Sequence, residues 1–453
     1  MSGLTQTLPS PTSPSSGAPT MGANPVGTPL AALVVGVALL PFLNPKGPFN
    51  SAPVDVVMVA GIGLVLVWSG ISRARLHLPY VVPMACLVLA GATAALLSHA
   101  PRAGATAVTQ EVFLLAWCAA VANLCRTAET LATVLRAWCV AATAWAGFLV
   151  AAVLSGHPTW AGMPSSEGGR ARLLFDHPNM TGNYFMLSIL VVSAAGYPRR
   201  PVARAGVYAV LGAAMLFAGS NTALLSLPIA LLFVAFVKLR RRTDVLTASV
   251  LVLCIGVTGA VTWTVAKEPV TTAIQSSDSP LVKYSVGRSS RSAAARQDLF
   301  ADQFTLYQSQ SLIGLGPAGT RSALDREPVQ TAKESHNDYL ATLVERGPLG
   351  VVALVVLIAT VAVRAAGIHR LSPAFAAAVP NPAALTGAML TFLITGLTHE
   401  VLHYRHLWTL LAVIAALHMF GRASKHRRVD VGPTVSTYPR SRRRRARSQS
   451  HVW

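Results

Sequence analysis

Long apolar runs alternate with short polar turns along almost the whole chain, and the runs have the length of membrane spans. A hydrocarbon core of roughly 30 Å takes about 20 apolar residues as helix. On that measure the predicted spans are 29–43, 52–71, 78–97, 106–125, 131–155, 179–196, 205–219, 222–238, 245–265, 348–366, 383–397 and 407–421. Those at 29–43, 205–219 and 383–397 are short, and are expected to extend past these limits or to tilt against their neighbours. Residues 266–347 are the one long polar interruption. The cost of ordering so long a connector marks it as a working segment. The expected fold is an all-α polytopic membrane protein of about 12 transmembrane helices, with one large extracytoplasmic loop between the ninth and tenth spans.

Basic residues in the short loops set the orientation. With the N-terminus inside, the cytoplasmic turns hold Arg73 and Arg75, Arg126, then Arg199, Arg200 and Arg204, then Lys238 and Arg240 to Arg242, then Arg370 and the tail. Of the opposite turns, the short ones hold Lys46 and Arg102, almost nothing at Ser220-Asn221, and no arginine beyond Arg405 near 398–406. Both termini are therefore expected in the cytoplasm and the 266–347 loop outside. Three further polar stretches share that outer side: 156–178, the turn at 219–222, and Thr398 to His406. Polar groups at membrane depth face a cavity or a partner, so four such stretches on one face predict one site at the outer leaflet.

Composition changes the picture in two places. Only 12% of residues are charged and 53% are hydrophobic, against about 25% charged in soluble domains. The formal charge of +20 would point to nucleic acid, but ten of the basic residues lie after Gly421 against one acid, Asp430. That block reads as a solvated cytoplasmic end beside anionic membrane lipid, not as a nucleic-acid surface. Residues 1–28 are Pro/Ser/Thr/Gly-rich, lack a basic n-region, and read as a disordered cytoplasmic lead-in and not as a cleavable signal. The expected division is thus 1–28, a transmembrane catalytic domain at 29–421, and a basic cytoplasmic tail at 422–453. All five cysteines lie in apolar runs and read as small core residues.

The outer segments carry arginines and histidines but no carboxylate cluster fit for a divalent cation. Asp338 and Glu345 are two helical turns apart, and no Walker loop or dinucleotide glycine run is present. No metal and no cofactor are expected. Arginine binds phosphate oxygens bidentately and keeps its charge, so the ingredients suit a phosphate-bearing substrate reached from the membrane surface. His336 precedes a predicted helix start at Asp338. There the helix dipole disfavours the imidazolium and keeps the ring fit to act as a base; capping that helix is the alternative role. His399-Glu400-Val401-Leu402-His403 matches the zincin spacing. It lacks a third ligand at a fixed downstream position and lies at a membrane-helix end.

Taken in order, several segments resemble the O-antigen ligase and polymerase superfamily of polytopic membrane glycosyltransferases. They are Arg170 to Asn179 with its His177-Pro178-Asn179, Ser220 to Leu225, Arg296 with Phe300, Leu312 to Gly316, His336 to Leu340, and Glu345 to Gly350. The likeness covers about 165–420. It implies an inverting, metal-independent transferase whose donor is a polyprenyl-diphosphate-linked glycan and whose acceptor is a glycan or lipid-glycan, building a surface polysaccharide at the cell membrane. Carried over by position, the resemblance gives Arg296 the diphosphate and His336 the acceptor hydroxyl, and Arg170 and His177 shape the entrance. Asn179, Ser220, Asn337 and Tyr339 fall in the same motifs. The family often places a basic residue where this chain has Asn221, which leaves Arg172, Arg288 or Arg291 to supply that phosphate contact.

Three rival readings remain at this point. A flippase for lipid-linked sugars would need a polar path through spans whose ionisable residues are few beyond Glu111 and Arg136. A peptidoglycan polymerase of the cell-elongation type would need an acidic catalytic residue in a long loop, which has no clear counterpart. A membrane zinc protease would rest on the His399–His403 run alone.

Overall fold

The computed structural model describes residues 26–47, 50–163, 169–276, 289–308, 312–324 and 337–423. Among these the chain is helical, apart from one isolated antiparallel bridge between Leu371 and Arg422. In order the helices are α1 (Gly27–Ala38), α2 (Pro53–Ser72), α3 (Val81–Leu96), α4 (Pro101–Leu124), α5 (Ala128–Leu154), α6 (Pro178–Ala195), α7 (Pro201–Ala218) and α8 (Asn221–Leu239). They continue with α9 (Val245–Gln275), α10 (Ser289–Gln308), α11 (Gly319–Leu324), α12 (Asp338–Gly367), α13 (Pro373–Ala378), α14 (Pro382–Gly396) and α15 (Arg405–Phe420).

Each expected apolar run lies on one of these helices. Seven of them, α2, α4, α5, α7, α8, α9 and α12, are long and apolar enough to cross a membrane, and α1, α3, α14 and α15 are apolar but shorter. Among the boundaries that differ from expectation are those of α1, α9 and α12. α1 stops at Ala38 and does not run to 43, because Pro41 disfavours helix at the residue before it. α9 continues to Gln275, into the stretch expected to be loop. α12 starts at Asp338 and breaks at Gly347, whose φ of 63° and ψ of −169° separate a short outer piece from the long apolar one. Pro348, which lacks an N–H, sits at the start of the second piece as a first-turn proline.

The core forms around α6, where 15 of 18 residues are buried, so its two asparagines Asn179 and Asn183 need partners inside the protein. Tryptophans tie the surrounding helices to each other through their indole N–H. Trp117 donates to Thr409 Oγ1 at 2.9 Å, Trp138 to Ser188 Oγ at 3.0 Å, and Trp145 to the Ala38 carbonyl at 2.8 Å. Large apolar side chains on α2, α9 and the second piece of α12 remain exposed, among them Val56, Leu66, Leu253, Val352 and Val355, which suits contact with lipid tails. Cys118, Cys125 and Cys139 are core residues as expected. Cys86 and Cys254 are exposed instead, because they fall on outward helix faces.

Two buried ion pairs cross-link elements far apart in sequence. Arg405, at the start of α15, grips Asp55 on α2 through Nε and Nη2 at 2.6 and 2.5 Å. Arg346, at the end of the outer piece of α12, is paired fork to fork with Glu111 on α4 and also donates to the Leu87 carbonyl at 3.2 Å. The loops sort into two contacting sets. On one side Leu43 N donates to Leu174 O at 3.1 Å, Lys46 pairs with Asp176 at 3.1 Å, and Thr222 meets Thr398 at 2.8 Å. On the other, Asn123 Nδ2 donates to His77 O at 2.6 Å and Asn381 N to Ala194 O at 3.2 Å.

Removing one member of a buried ion pair strands the other, at a cost of about 3–5 kcal/mol, whereas an apolar pair of similar volume is tolerated. Arg346→Ala should therefore lower the thermal unfolding midpoint of the purified protein sharply. Arg346→Met combined with Glu111→Leu should recover most of the loss. Equal midpoints for Arg346→Ala and wild type would show that the pair carries no stability.

Candidate functional site

The polar groups on the first set of loops gather around the connection between α14 and α15. Thr398 meets Thr222 at the start of α8, and His399 Nδ1 lies 3.5 Å from Asn179 Nδ2 at the start of α6. The backbone N–H groups of Val401 and Leu402 donate to the Asp338 carboxylate at 2.8 and 3.5 Å. Trp408 Nε1 donates back to the Leu402 carbonyl at 2.6 Å, and Arg405 is held by Asp55. Eight residues, 397 to 404, thus touch α6, α8, α12 and α15, and Arg405 directly after them reaches α2.

Proline at the first position of α6 fixes its entry, and His177 caps it by accepting from Asn179 N through Nδ1 at 3.1 Å. That acceptance assigns the proton of the neutral His177 ring to Nε2. Arg170 donates through Nε to the Ala218 carbonyl at 2.9 Å and through Nη2 to Asn179 Oδ1. His177 and His399 have ring centroids 6.4 Å apart. One helical turn deeper, Asn183 Oδ1 accepts from His406 Nε2 at 3.0 Å and Asn183 Nδ2 donates to Thr395 Oγ1 at 3.3 Å.

The start of α12 is fixed by Asn337, whose side chain accepts from Tyr339 N at 2.9 Å and Leu340 N at 3.0 Å. The cap is thus Asn337 and not a histidine. Tyr339 is half-buried, with its hydroxyl donating to the Leu393 carbonyl at 2.9 Å. The end of the outer piece is fixed by the glycine turn at 312–317. Leu315 N donates to Val344 O at 3.0 Å and Gly316 N to Glu345 O at 2.9 Å. The Glu345 carboxylate accepts from Ala318 N at 3.0 Å and Thr320 Oγ1 at 2.9 Å. Gly314 has φ +88°, and a Cβ there would stand 2.6 Å from the Glu345 backbone; at Gly347 it would stand 2.0 Å from the Leu312 carbonyl oxygen. The two glycine-bearing motifs are one docking surface.

Of the residues expected at the site, Arg170, His177 and Asn179 come together with His399, and Asn337 and Tyr339 join them through Asp338 and its bonds to 401–402. Ser220 is buried as the cap of α8, accepting from Ala223 N at 3.4 Å, so its hydroxyl has a structural use. Asn221 is half-buried next to it, and Arg172 is exposed, its carbonyl held by Thr181 Oγ1 at 2.7 Å. Arg291 and Arg296 lie on α10. His336 and Arg288 lie outside the described residues. The His399–His403 run is not helical, so its two histidines do not share a helix face as a zincin pair would; His399 packs toward Asn179, and His403 lies edge-on to Tyr404. Sequence reasoning noted Asp338, Thr222 and His406 without giving them a site role, and did not single out Asn183. Asn183 was detectable as an amide in the middle of an apolar run.

Beside this cluster a cavity of about 910 Å³ opens between α8, α12, α14 and α15. One end reaches Asp338, Tyr339 and Gly396, and its walls include Leu357, Met389 and Phe392.

Residues 205–355, from α7 to just past the Gly347 break, match the family model described as O-antigen ligase. The match supports a likeness to the O-antigen ligase and polymerase superfamily over this stretch. The O-antigen ligase match covers α10, the glycine turn and the start of α12, whereas Arg170, His177 and the 397–404 connection fall outside it and are joined to it by contacts. It supports a glycosyltransferase-like membrane enzyme in general. No curated protein matches the chain.

A buried backbone donor left without its acceptor costs about 1–3 kcal/mol. Asp338→Ala should speed hydrogen exchange at Val401 and Leu402 by one to two orders of magnitude, while exchange along α5 stays unchanged. Protection unaltered at 401–402 would remove Asp338 as the anchor of the connection.

Proposed function

We propose that this protein transfers or polymerises a polyprenyl-diphosphate-linked oligosaccharide onto an acceptor hydroxyl at the outer face of the cytoplasmic membrane. The observation that carries the reading is the family match over 205–355 together with the latching of its α12 start onto the Arg170–His177–His399 cluster. Both termini then lie in the cytoplasm, in keeping with the basic residues of the other loop set.

In this reading the acceptor oxygen attacks the anomeric carbon of the donor sugar, and the bond from that carbon to the diphosphate oxygen breaks. The attack comes from the side opposite the leaving group, so the configuration inverts. The hydroxyl proton passes to His336, one residue before the Asn337 that caps α12. The lipid diphosphate leaves without needing a proton, and its growing charge is met by arginine. By spacing, Arg296 falls three residues before Leu299 and seven before Gln303, both buried on α10. Arg172, Arg288 and Arg291 are the candidates for the remaining phosphate contact, Arg170 and His177 border the entrance, and the charge is supplied by side chains and not by a metal ion.

The test is turnover of polyprenyl-diphosphate glycan in proteoliposomes, with and without EDTA. Arg296→Ala and His336→Ala should each lower glycan transfer by at least a hundredfold, and EDTA should leave the wild type unaffected. Transfer that survives both substitutions would overturn the assigned roles. Lipid movement across the bilayer without transfer would favour a flippase. Asn221→Arg should keep activity or raise it, measured in the same assay, and complete loss would count against placing a phosphate contact at this position.

A further inference from the structure

The far end of the 910 Å³ cavity is lined by Arg240, Arg241, Arg370 and Arg422, with His369 among them. These come from three separate parts of the chain. Arg240 and Arg241 follow α8, Arg370 follows α12, and Arg422 follows α15. The backbone sets the last two side by side: Ser372 N donates to Gly421 O at 2.8 Å and Ala423 N to Arg370 O at 3.1 Å, around the Leu371–Arg422 bridge.

Four like charges gathered at one cavity mouth repel each other. None of the four joins an ion pair among the described residues. Asp244, the acid nearest to Arg240 and Arg241 in sequence, is used in capping α9, where it accepts from Thr247 N at 2.9 Å and Thr247 Oγ1 at 2.6 Å. His369 has Nε2 3.3 Å from Thr386 Oγ1, while its Nδ1 is buried without a partner. Burial first, and then Arg241 and Arg240, hold its pKa below the ordinary histidine value. The mouth therefore offers positive charge, and the walls behind it are apolar.

We propose that this end of the cavity binds an anionic phospholipid, with its phosphate among Arg240, Arg241, Arg370 and Arg422 and its acyl chains along α8, α12 and α14. A free phosphate would satisfy the arginines but leave the apolar walls unused, and a zwitterionic lipid would bring its own cation into the cluster. Basic pockets between membrane helices hold anionic headgroups by this combination of charge and apolar contact. Lipid binding is read without glycan transfer, so the test is independent of the activity proposed above.

The experiment is native mass spectrometry of the delipidated full-length protein, titrated with dioleoylphosphatidylglycerol, dioleoylphosphatidylcholine or inorganic phosphate. Phosphatidylglycerol should bind one per chain and at least tenfold more tightly than phosphatidylcholine. Arg240→Gln, Arg241→Gln, Arg370→Gln and Arg422→Gln together should bring the ratio near one. If that variant does not fold, Arg240→Gln with Arg241→Gln, at an exposed helix end, should lower the ratio at least threefold. Ala362→Trp, on the cavity wall, should weaken phosphatidylglycerol binding with the arginines intact. Equal affinity for the two lipids, preference that persists in the variants, or displacement by millimolar phosphate would each overturn the proposal. Displacement by an equimolar polyprenyl phosphate would reassign the site to that lipid.

Discussion

Buried backbone N–H and C=O groups that leave a helix must find partners within the protein. The connection at 397–404 is where this chain meets that constraint, and Asp338 is its main answer. One carboxylate takes two consecutive amide donors across 63 residues of sequence, and so fixes the start of α12 against the connection. The threonine pair at 222 and 398, the Asn179–His399 contact and the Asp55–Arg405 clamp then follow from where that connection is held. Loosen it, and the surrounding helices lose a common reference.

The same economy of parts governs the outer piece of α12. It is short, and isolated helices of that length are marginal. Its two ends are therefore fixed from outside, by the Asn337 cap and by the glycine turn that docks on Val344 and Glu345. Gly314 and Gly347 are required because their backbones approach others more closely than any Cβ would allow. What results is a helix start fixed at both ends and joined through Asp338 to the connection that also meets Asn179.

Much of the helical plan was legible in the apolar runs, because a membrane span announces itself by length and hydropathy. The meeting of polar groups from 169–179, 222 and 398–402 was legible too, as polar stretches between apolar runs. Asp338 was not legible in its actual role. A carboxylate that pairs with two backbone amides on a distant connection leaves no local spacing to read, and weighed against Glu345 it pointed only to the question of a metal. The histidine run at 399–403 misled in the opposite direction. Its spacing implies a helix, but those residues are drawn out by Asp338, Arg405 and Trp408 into an irregular connection. The limits of α1 and α9 shifted for simpler reasons, a proline in one and helix continuing past its apolar stretch in the other.

The Asp55–Arg405 clamp joins residues 350 positions apart, and Tyr80 and Trp117 likewise bond to Leu411 and Thr409 on α15. Helices made early in synthesis thus hold polar groups whose partners are made near the end. During insertion Asp55 lies at the end of α2 without its counter-charge until α15 arrives. Because synthesis runs from α2 toward α15, these early polar groups meet their partners only when α15 joins the bundle.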